Sequence, residues 1–449
     1  MTVEAYVTAH GAAAHAVGAG TIAATPSTPA GAIQELAAWT APCRITAVAL
    51  CPFTSAASLL AVAGDETLFI YHVPALTGFP TARRLPTLPR AEYEPVLLHR
   101  IAVGAPIHQI AWSPRSSRLE ETKAALAIAT QPGDIYLVED AQLLPLDTSR
   151  AIGWVNALSF NQSTLEDRSA GTLLAAAGDA HAARLYDLTV MAATTATTAL
   201  ITPQGSSASL HLNTDAPAGA TAASSSPTVH FAMPVAPLPE PVAIKLSSRG
   251  VAAEWHAAKP SLLMLADASG AIQFIDVQQQ SVQLAVYQPP APGLVAPVGA
   301  GRTGLTAAAW HPRHAARFAA AVGPTVYTYR SHRAALAGPE TALPTGLGGE
   351  GGAASAAAPL ADAARNATAV QWMPCGEGTY SVLAAGGGGG TAASAGAGAS
   401  LVLWTPEARL SRAVPPRRGK GGAWWHASWH AAAPVLLAAD RHGLVFYLV

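Results

Sequence analysis

Acidic side chains recur at one place in four similar segments of this 449-residue chain: Asp65 in VAGDET, Asp179 in AAGDAH, Asp267 in MLADAS and Asp440 in LAADRH. Four carboxylates could hold a metal ion only if they converged within one coordination shell. Each belongs instead to its own segment, at a turn between two apolar runs, where an aspartate accepts hydrogen bonds from turn amides and neighbouring side chains. The expectation is a structural role for all four and no metal site.

Histidine gives the same answer. Of the 15 histidines, His426 and His430 have a four-residue spacing that would align them on a helix, but on a strand such residues lie about 13 Å apart. His256 and His311 each follow a tryptophan. Neither has a nucleophile or acidic partner at a repeatable spacing, so both are expected to be turn residues beside a core aromatic. The glycine run at 386–390 lacks the Lys-Ser/Thr of a phosphate loop, and Gly419-Lys420-Gly421 lacks the leading glycine and the hydroxyl residue. No nucleophile elbow or kinase signature occurs. No catalytic residue, cofactor or metal is therefore assigned, and no enzymatic activity is expected. Arg409, Arg412, Arg417, Arg418 and Lys420 form a basic cluster in a Pro/Gly-rich connection. It reads as a solvated loop or as an electrostatic docking patch, and is the docking candidate of the sequence.

A repeated unit positions these side chains. Residues 251–277, VAAEWHAAKPSLLMLADASGAIQFIDV, read as three short strands with two turns, the first strand ending in an aromatic. Aligning that strand end gives Leu50, Trp112, Phe160, Trp255, Trp310, Trp372 and Trp429, at intervals of 62, 48, 95, 55, 62 and 57 residues. A propeller repeat runs to roughly 40–45 residues, so the excess must sit in loops and insertions. The fold class expected is all-β: a seven-bladed WD40-type β-propeller. A helical solenoid is the competing reading, since alanine favours helix. However, Trp112, Trp310 and Trp372 are each followed at two residues by proline, and glycine punctuation recurs.

Composition narrows the classes further. A formal net charge of -1 gives no electrostatic reason for direct nucleic-acid binding or for docking on anionic membranes. Cys43, Cys51 and Cys375 form no CxxC pair, which fits a reducing compartment. Glu4 stands where a secretory signal would carry positive charge, and no arginine precedes Arg44 to support a transit peptide. The sequons at Asn161 and Asn366 are then chance matches. Residues 381–404 are uncharged, but Gly, Ala, Ser and Thr fill their middle, so no membrane insertion is expected.

Along the chain, residues 1–30 read as a flexible arm and 31–449 as the propeller. Low-complexity inserts are expected at about 189–241, 338–364 and 386–398, where Ala, Gly, Ser, Thr and Pro offer little bulky apolar surface. Residues 95–101 and 138–146 are candidate outer strands for the first two blades. The last repeat has three strands, so residues 33–39, IQELAAW, are expected to supply its fourth by pairing first strand to last. A short helix is the alternative for that segment.

Trp112, Asp179, Tyr186-Asp187, Asp267 and Ile275-Asp276 stand in WD-repeat register, so the chain resembles the WD-repeat family. Only Asp187 and Asp276 keep the Asp of the terminal dipeptide, and the usual Gly-His pair is absent. The order IHQIAWSPRSSRLEE, GVAAEWHAAKPSLLMLADASGAIQFIDV, SWHAAAPVLLAADRHGLVFYLV is similar to the thirty-seven-kilodalton class of WD-repeat nucleoporins in the Y-shaped outer-ring complex. That resemblance implies a nonenzymatic scaffold at the nuclear envelope, in the nuclear pore complex of the nucleus. Its partners would be other Y-complex nucleoporins, chiefly the large short-arm scaffold nucleoporin, and its service the transport of mRNA and protein. The alternative is a WD-repeat adaptor or substrate receptor in another multiprotein complex.

Overall fold

The computed structural model describes residues 33–78, 81, 83–118, 124–162, 171–189, 240–279, 282–287, 304–314, 317–322, 325–329, 341–344, 366–375, 380–385, 400–405, 410–414 and 424–449. These residues form strands and short 3-10 turns. In chain order the strands are β1 (Gln34–Thr40), β2 (Ile45–Leu50), β3 (Leu59–Gly64), β4 (Thr67–His72), β5 (Val96–Ala102), β6 (Ile107–Trp112), β7 (Ala125–Thr130), β8 (Ile135–Glu139) and β9 (Gln142–Asp147). Next come β10 (Val155–Phe160), β11 (Leu173–Gly178), β12 (Ala182–Asp187), β13 (Val242–Lys245), β14 (Gly250–His256), β15 (Lys259–Asp267), β16 (Ile272–Asp276) and β17 (Val282–Tyr287). The remainder are β18 (Leu305–Trp310), β19 (Phe318–Val322), β20 (Thr325–Tyr329), β21 (Thr341–Pro344), β22 (Asn366–Trp372), β23 (Tyr380–Ala385), β24 (Ser400–Thr405), β25 (Leu410–Ala413), β26 (His426–Trp429), β27 (Val435–Ala439) and β28 (Gly443–Leu448).

The architecture is an all-β propeller. Six sheets each take four consecutive strands, from β2–β5 to β22–β25, and a further sheet combines β26, β27 and β28 with β1. Every pairing is antiparallel, between consecutive strands and between β1 and β28 alike. The first strand of each sheet lies innermost: β6 contacts β2 and β10, β14 contacts β10 and β18, and β26 contacts β2 and β22.

The second strands explain why alanine-rich segments are extended here. LLAVAG, ALAIAT, FAAAV and VLLAA are buried at every residue, because such a strand has partners on both edges and a neighbouring sheet on both faces. Continuous apolar runs are what that environment selects. Alanine fits where sheets approach closely, and tertiary burial overrides its helical preference.

A bulge recurs at the start of the inner strands. The register shifts between Ile45 and Ala47, Ile107 and Gln109, Val155 and Ala157, Gly250 and Ala252, Leu305 and Ala307, and Ala367 and Ala369. The extra residue is left out of the ladder and sharpens the local twist. In the sheets headed by β6 and β10 it is His108 and Asn156, whose polar side chains reach the next sheet.

Residues 34–39 lie on a strand, β1, paired with the last strand as expected of this segment: Gln34 stands opposite Leu448 and Thr40 opposite Gly443. Other expectations change. Residues 138–146 are not one outer strand. Val138 and Glu139 close β8, Asp140 and Ala141 turn the chain with φ of 51° and 63°, and β9 alone is outermost. Positive φ at both central residues makes a hairpin turn without the Asn-Gly that advertises one. The stretch 338–364 contains β21, too short to stand out. The arm at 1–30, the insert at 386–398 and residues 190–239 of the insert at 189–241 lie outside the described residues.

Candidate functional site

Leu50, Trp112, Phe160, Trp310, Trp372 and Trp429 end their inner strands and Trp255 is one residue short of an end; all seven are buried. Three of the indoles also fasten neighbouring sheets. Trp112 Nε1 donates to the Ala49 carbonyl at 3.1 Å, Trp255 Nε1 to Ser159 at 3.0 Å and Trp372 Nε1 to Ala309 at 3.1 Å. Each acceptor immediately precedes the strand-end residue of the preceding sheet. Trp112→Phe keeps most of the apolar contact and removes that hydrogen bond between sheets, so it is expected to cost about 1 kcal/mol, read as a lower urea midpoint at unchanged slope.

The residue after the aromatic caps the turn that follows. His256 Nδ1 accepts the amides of Ala258 and Lys259, both at 3.0 Å. His311 Nδ1 accepts those of Arg313 and His314, and His430 Nδ1 those of Ala432 and Ala433. Asn161, 1% exposed, accepts from the Leu173 amide in the same role and is closed to a glycan. A ring accepting at Nδ1 carries its proton on Nε2. Burial pushes His311 and His430 down to about 4, with the cationic neighbours of His311 adding to the effect. These rings are neutral turn caps at physiological pH.

The four aspartates occupy the turns after the second strands but divide in two. Asp267, 1% exposed, accepts the Ser269 amide and hydroxyl, the Ala271 amide and, through its other oxygen, the Ser247 amide. Asp440 is also buried and accepts the His442 amide at 2.7 Å. Asp65 and Asp179 are exposed; Asp65 has a left-handed φ of 50°, and Asp179 accepts from Asn156 Nδ2 at 2.7 Å. They lie in separate sheets, and among the described residues no three His, Cys, Asp or Glu side chains form a metal-competent group. Within the basic cluster, Arg412 is in β25 opposite Leu403, so the cluster is not confined to a connection. Arg409, Arg417, Arg418 and Lys420 lie outside the described residues.

The polar links between sheets escaped the sequence reading. His108 Nε2 meets the Val155 carbonyl, and Asn156 Nδ2 donates to the Gly250 carbonyl at 2.9 Å. Both acceptors are the first residue of the next inner strand. Gln109 Nε2 adds a bond to the Asn156 carbonyl. Further out, Asp147 Oδ2 accepts Arg184 Nη1 at 2.7 Å and the Tyr186 hydroxyl at 2.6 Å, while its Oδ1 accepts the Ser149 amide and hydroxyl. Arg150 clasps Asp134 with two nitrogens. An Asp-x-Ser spacing at 147–149 signals the local turn, but nothing in the sequence pairs Asp147 with Tyr186.

Between the inner strands lies an axial cavity of about 480 Å³ that reaches the turns at Pro52, Ala257, Pro312 and Pro374. Ser159, Thr306, Gln371 and Ser428 give its wall neutral donors and acceptors, and among the described residues Glu254 is the sole ionisable side chain lining it. Glu254 Oε2 accepts the Trp310 amide at 2.8 Å, as Ser428 Oγ accepts the Leu50 amide at the equivalent position. Burial pushes the Glu254 carboxyl up to about 7, the Trp310 amide pulling the other way. The wall suits recognition of a polar, positively charged group. Compared with protein-family models and with curated proteins, the sequence matches none.

Proposed function

We propose that the sheets close into a seven-bladed ring of WD40 type serving as a nonenzymatic scaffold subunit of the nuclear pore's Y-shaped outer-ring complex. In this reading the chain is a counterpart of the thirty-seven-kilodalton WD-repeat nucleoporin, docks on the large short-arm nucleoporin, and supports nucleocytoplasmic transport of mRNA and protein. The observation that supports it best is the sheet in which β1 lies against β28, since a ring sealed by its two chain ends presents rigid, loop-bearing faces suited to protein docking. The order of the WSP, EWH and SWH segments adds the resemblance from which the pore assignment comes. Polar links between successive sheets favour a rigid platform over a moving machine.

Affinity purification of the tagged full chain from its native cells is expected to bring down the other Y-complex subunits, with a rim signal at the nuclear envelope. A diffuse signal without those subunits would end the assignment. The second reading, an adaptor or substrate receptor, draws on the axial cavity, and recovery of a tight short-peptide ligand in place of the large nucleoporin would select it.

A further inference from the structure

The connection between β4 and β5 is longer than a hairpin needs. It carries three 3-10 turns, Pro74–Leu76, Leu85–Thr87 and Arg90–Tyr93, and it straps the sheet that β1 shares with β28. Leu76, Leu85 and Tyr93 are buried in the same core as Leu444 and Phe446, and the Tyr93 hydroxyl donates to the Leu85 carbonyl at 2.7 Å. Arg90 Nη2 lies 3.9 Å from Glu35 Oε1 on β1. The other side of the strap faces solvent: Arg83, Arg84, Thr87 and Arg90 are all exposed. Three cations and one hydroxyl thus share a surface whose leucine and tyrosine anchors point inward. Residues three apart in a 3-10 turn eclipse. Arg84, with helical φ and ψ of -78° and -40°, directly precedes Leu85–Thr87, so its side chain and that of Thr87 leave the turn on one side. Thr87 Oγ1 donates to the Arg84 carbonyl at 2.7 Å in a bond open to solvent.

We propose that Thr87 is a phosphorylation site, the substrate of a protein kinase that selects arginine three residues ahead of the hydroxyl, and that the phosphate pairs with Arg84. The spacing selects the enzyme class. Extended in a kinase cleft, residues three apart stand about 10 Å apart, and the guanidinium meets carboxylates there in a charge-assisted pair. Leu88, not proline, follows the hydroxyl, which excludes a proline-directed kinase. In the whole sequence an arginine stands three residues before a serine or threonine only at Thr87 and Thr368. Thr368 lies in β22, the innermost strand of its sheet, where a kinase cleft cannot enclose it. In the transfer, the γ-phosphorus of magnesium-bound ATP bonds to Thr87 Oγ1 while its bond to the oxygen shared with the β-phosphorus breaks. ADP leaves, and the hydroxyl proton passes to the aspartate base of the kinase. The product carries close to two negative charges and three acceptor oxygens, beside a guanidinium that the turn has already placed. This inference stands independently of the pore assignment.

The test incubates the full chain with magnesium ATP and the catalytic domain of the calmodulin-dependent protein kinase, which selects arginine at that position. Tandem mass spectrometry is expected to place phosphate on Thr87 and none on Thr368. Thr87→Val should remove it, and Arg84→Ala should slow its incorporation at least tenfold, with thermal melts showing both variants folded. A free peptide of residues 82–92 measures the spacing without the fold. No phosphate on Thr87 of the chain overturns the site, a labelled peptide then tracing the failure to access and an unlabelled one to the spacing. Labelling of folded Arg84→Ala at the parent rate overturns the enzyme class. Phosphorus NMR reads the pairing. The second ionisation of the phosphate should fall about half a unit lower in the chain than in the phosphorylated peptide, and Arg84→Ala, phosphorylated by longer incubation, should return it to the peptide value. Equal values in chain and peptide would overturn the pairing with Arg84.

Discussion

A chain shortened to begin at residue 42 is expected to lose about 4 kcal/mol of stability and to self-associate at concentrations where the parent is monodisperse. The segment removed contains β1, whose Ala37 is buried and whose Leu36 and Trp39 pack against the core formed with Tyr71, Leu444 and Phe446. Trp39 meets Tyr71 edge-on, with ring centroids 5.2 Å apart. Burying a large apolar side chain contributes roughly 1.5–3 kcal/mol, so losing Trp39 and Leu36 accounts for most of the effect. Self-association has a separate cause. Without β1 the outer edge of β28 presents a row of unpaired backbone groups flanked by Val445 and Phe446, a template for another chain. Adding a peptide of residues 33–41 should restore both the urea midpoint and the single species in size-exclusion chromatography. A shortened chain that melts like its parent would show that the strand is dispensable and would count against ring closure.

Asp147→Ala is expected to cost roughly 3 kcal/mol, because it removes one partner of a buried charged network and leaves the others unsatisfied. The Tyr186 hydroxyl loses its acceptor, and Arg184 Nη1 loses the carboxylate and keeps Ser149 Oγ at 3.0 Å. Tyr186→Phe and Arg184→Ala should each cost less. A double-mutant cycle between Asp147→Ala and Tyr186→Phe should show strong coupling, since the two act through one carboxylate oxygen. The pH dependence carries the same signature. Burial alone would raise the Asp147 carboxyl, but hydrogen bonds from Ser149, Tyr186 and Arg184 outweigh it and hold the group down at about 2, against an ordinary 3.8. A depressed folded-state value means the contribution is complete above the ordinary value and lost as pH falls from about 4 to about 2. Acid unfolding of the parent should therefore be steeper across that window than that of Asp147→Ala. Matching acid transitions would remove the carboxylate from the account of stability.

How far the sequence carried the fold can be judged at particular residues. The strand ends were legible because a large aromatic must be buried and a turn must follow it: Trp310-His311-Pro312 announces both. Leu50 and Phe160, which lack the indole, were found by register with the others. The outer strands were legible only when long and apolar. VLLHRIA at 96–102 was found within a residue, but QLLPLD was merged with the strand before it, since no glycine marks the turn at Asp140-Ala141. TALP was lost inside a low-complexity stretch. The four aspartates stand in turns after second strands, and their division into buried and exposed pairs depends on what packs over each turn, which a repeat pattern does not encode. The sheet-to-sheet links lay furthest out of reach. Arg184 and Tyr186 meet Asp147 only because consecutive sheets stand face to face, and Glu254 matters only because the wall around it is neutral.

The sheet shared by β1 and β28 also sets the order in which the molecule can be completed. Gln34 waits opposite a place that Leu448 fills, so β1 can pair only once β28, with every other strand lying between them in the chain, has been made. Six sheets can assemble from local hairpins as they emerge, whereas this one cannot. Until β28 has been made, Trp39 has no strand beside it, and that interval is the one in which the nascent chain depends most on a chaperone.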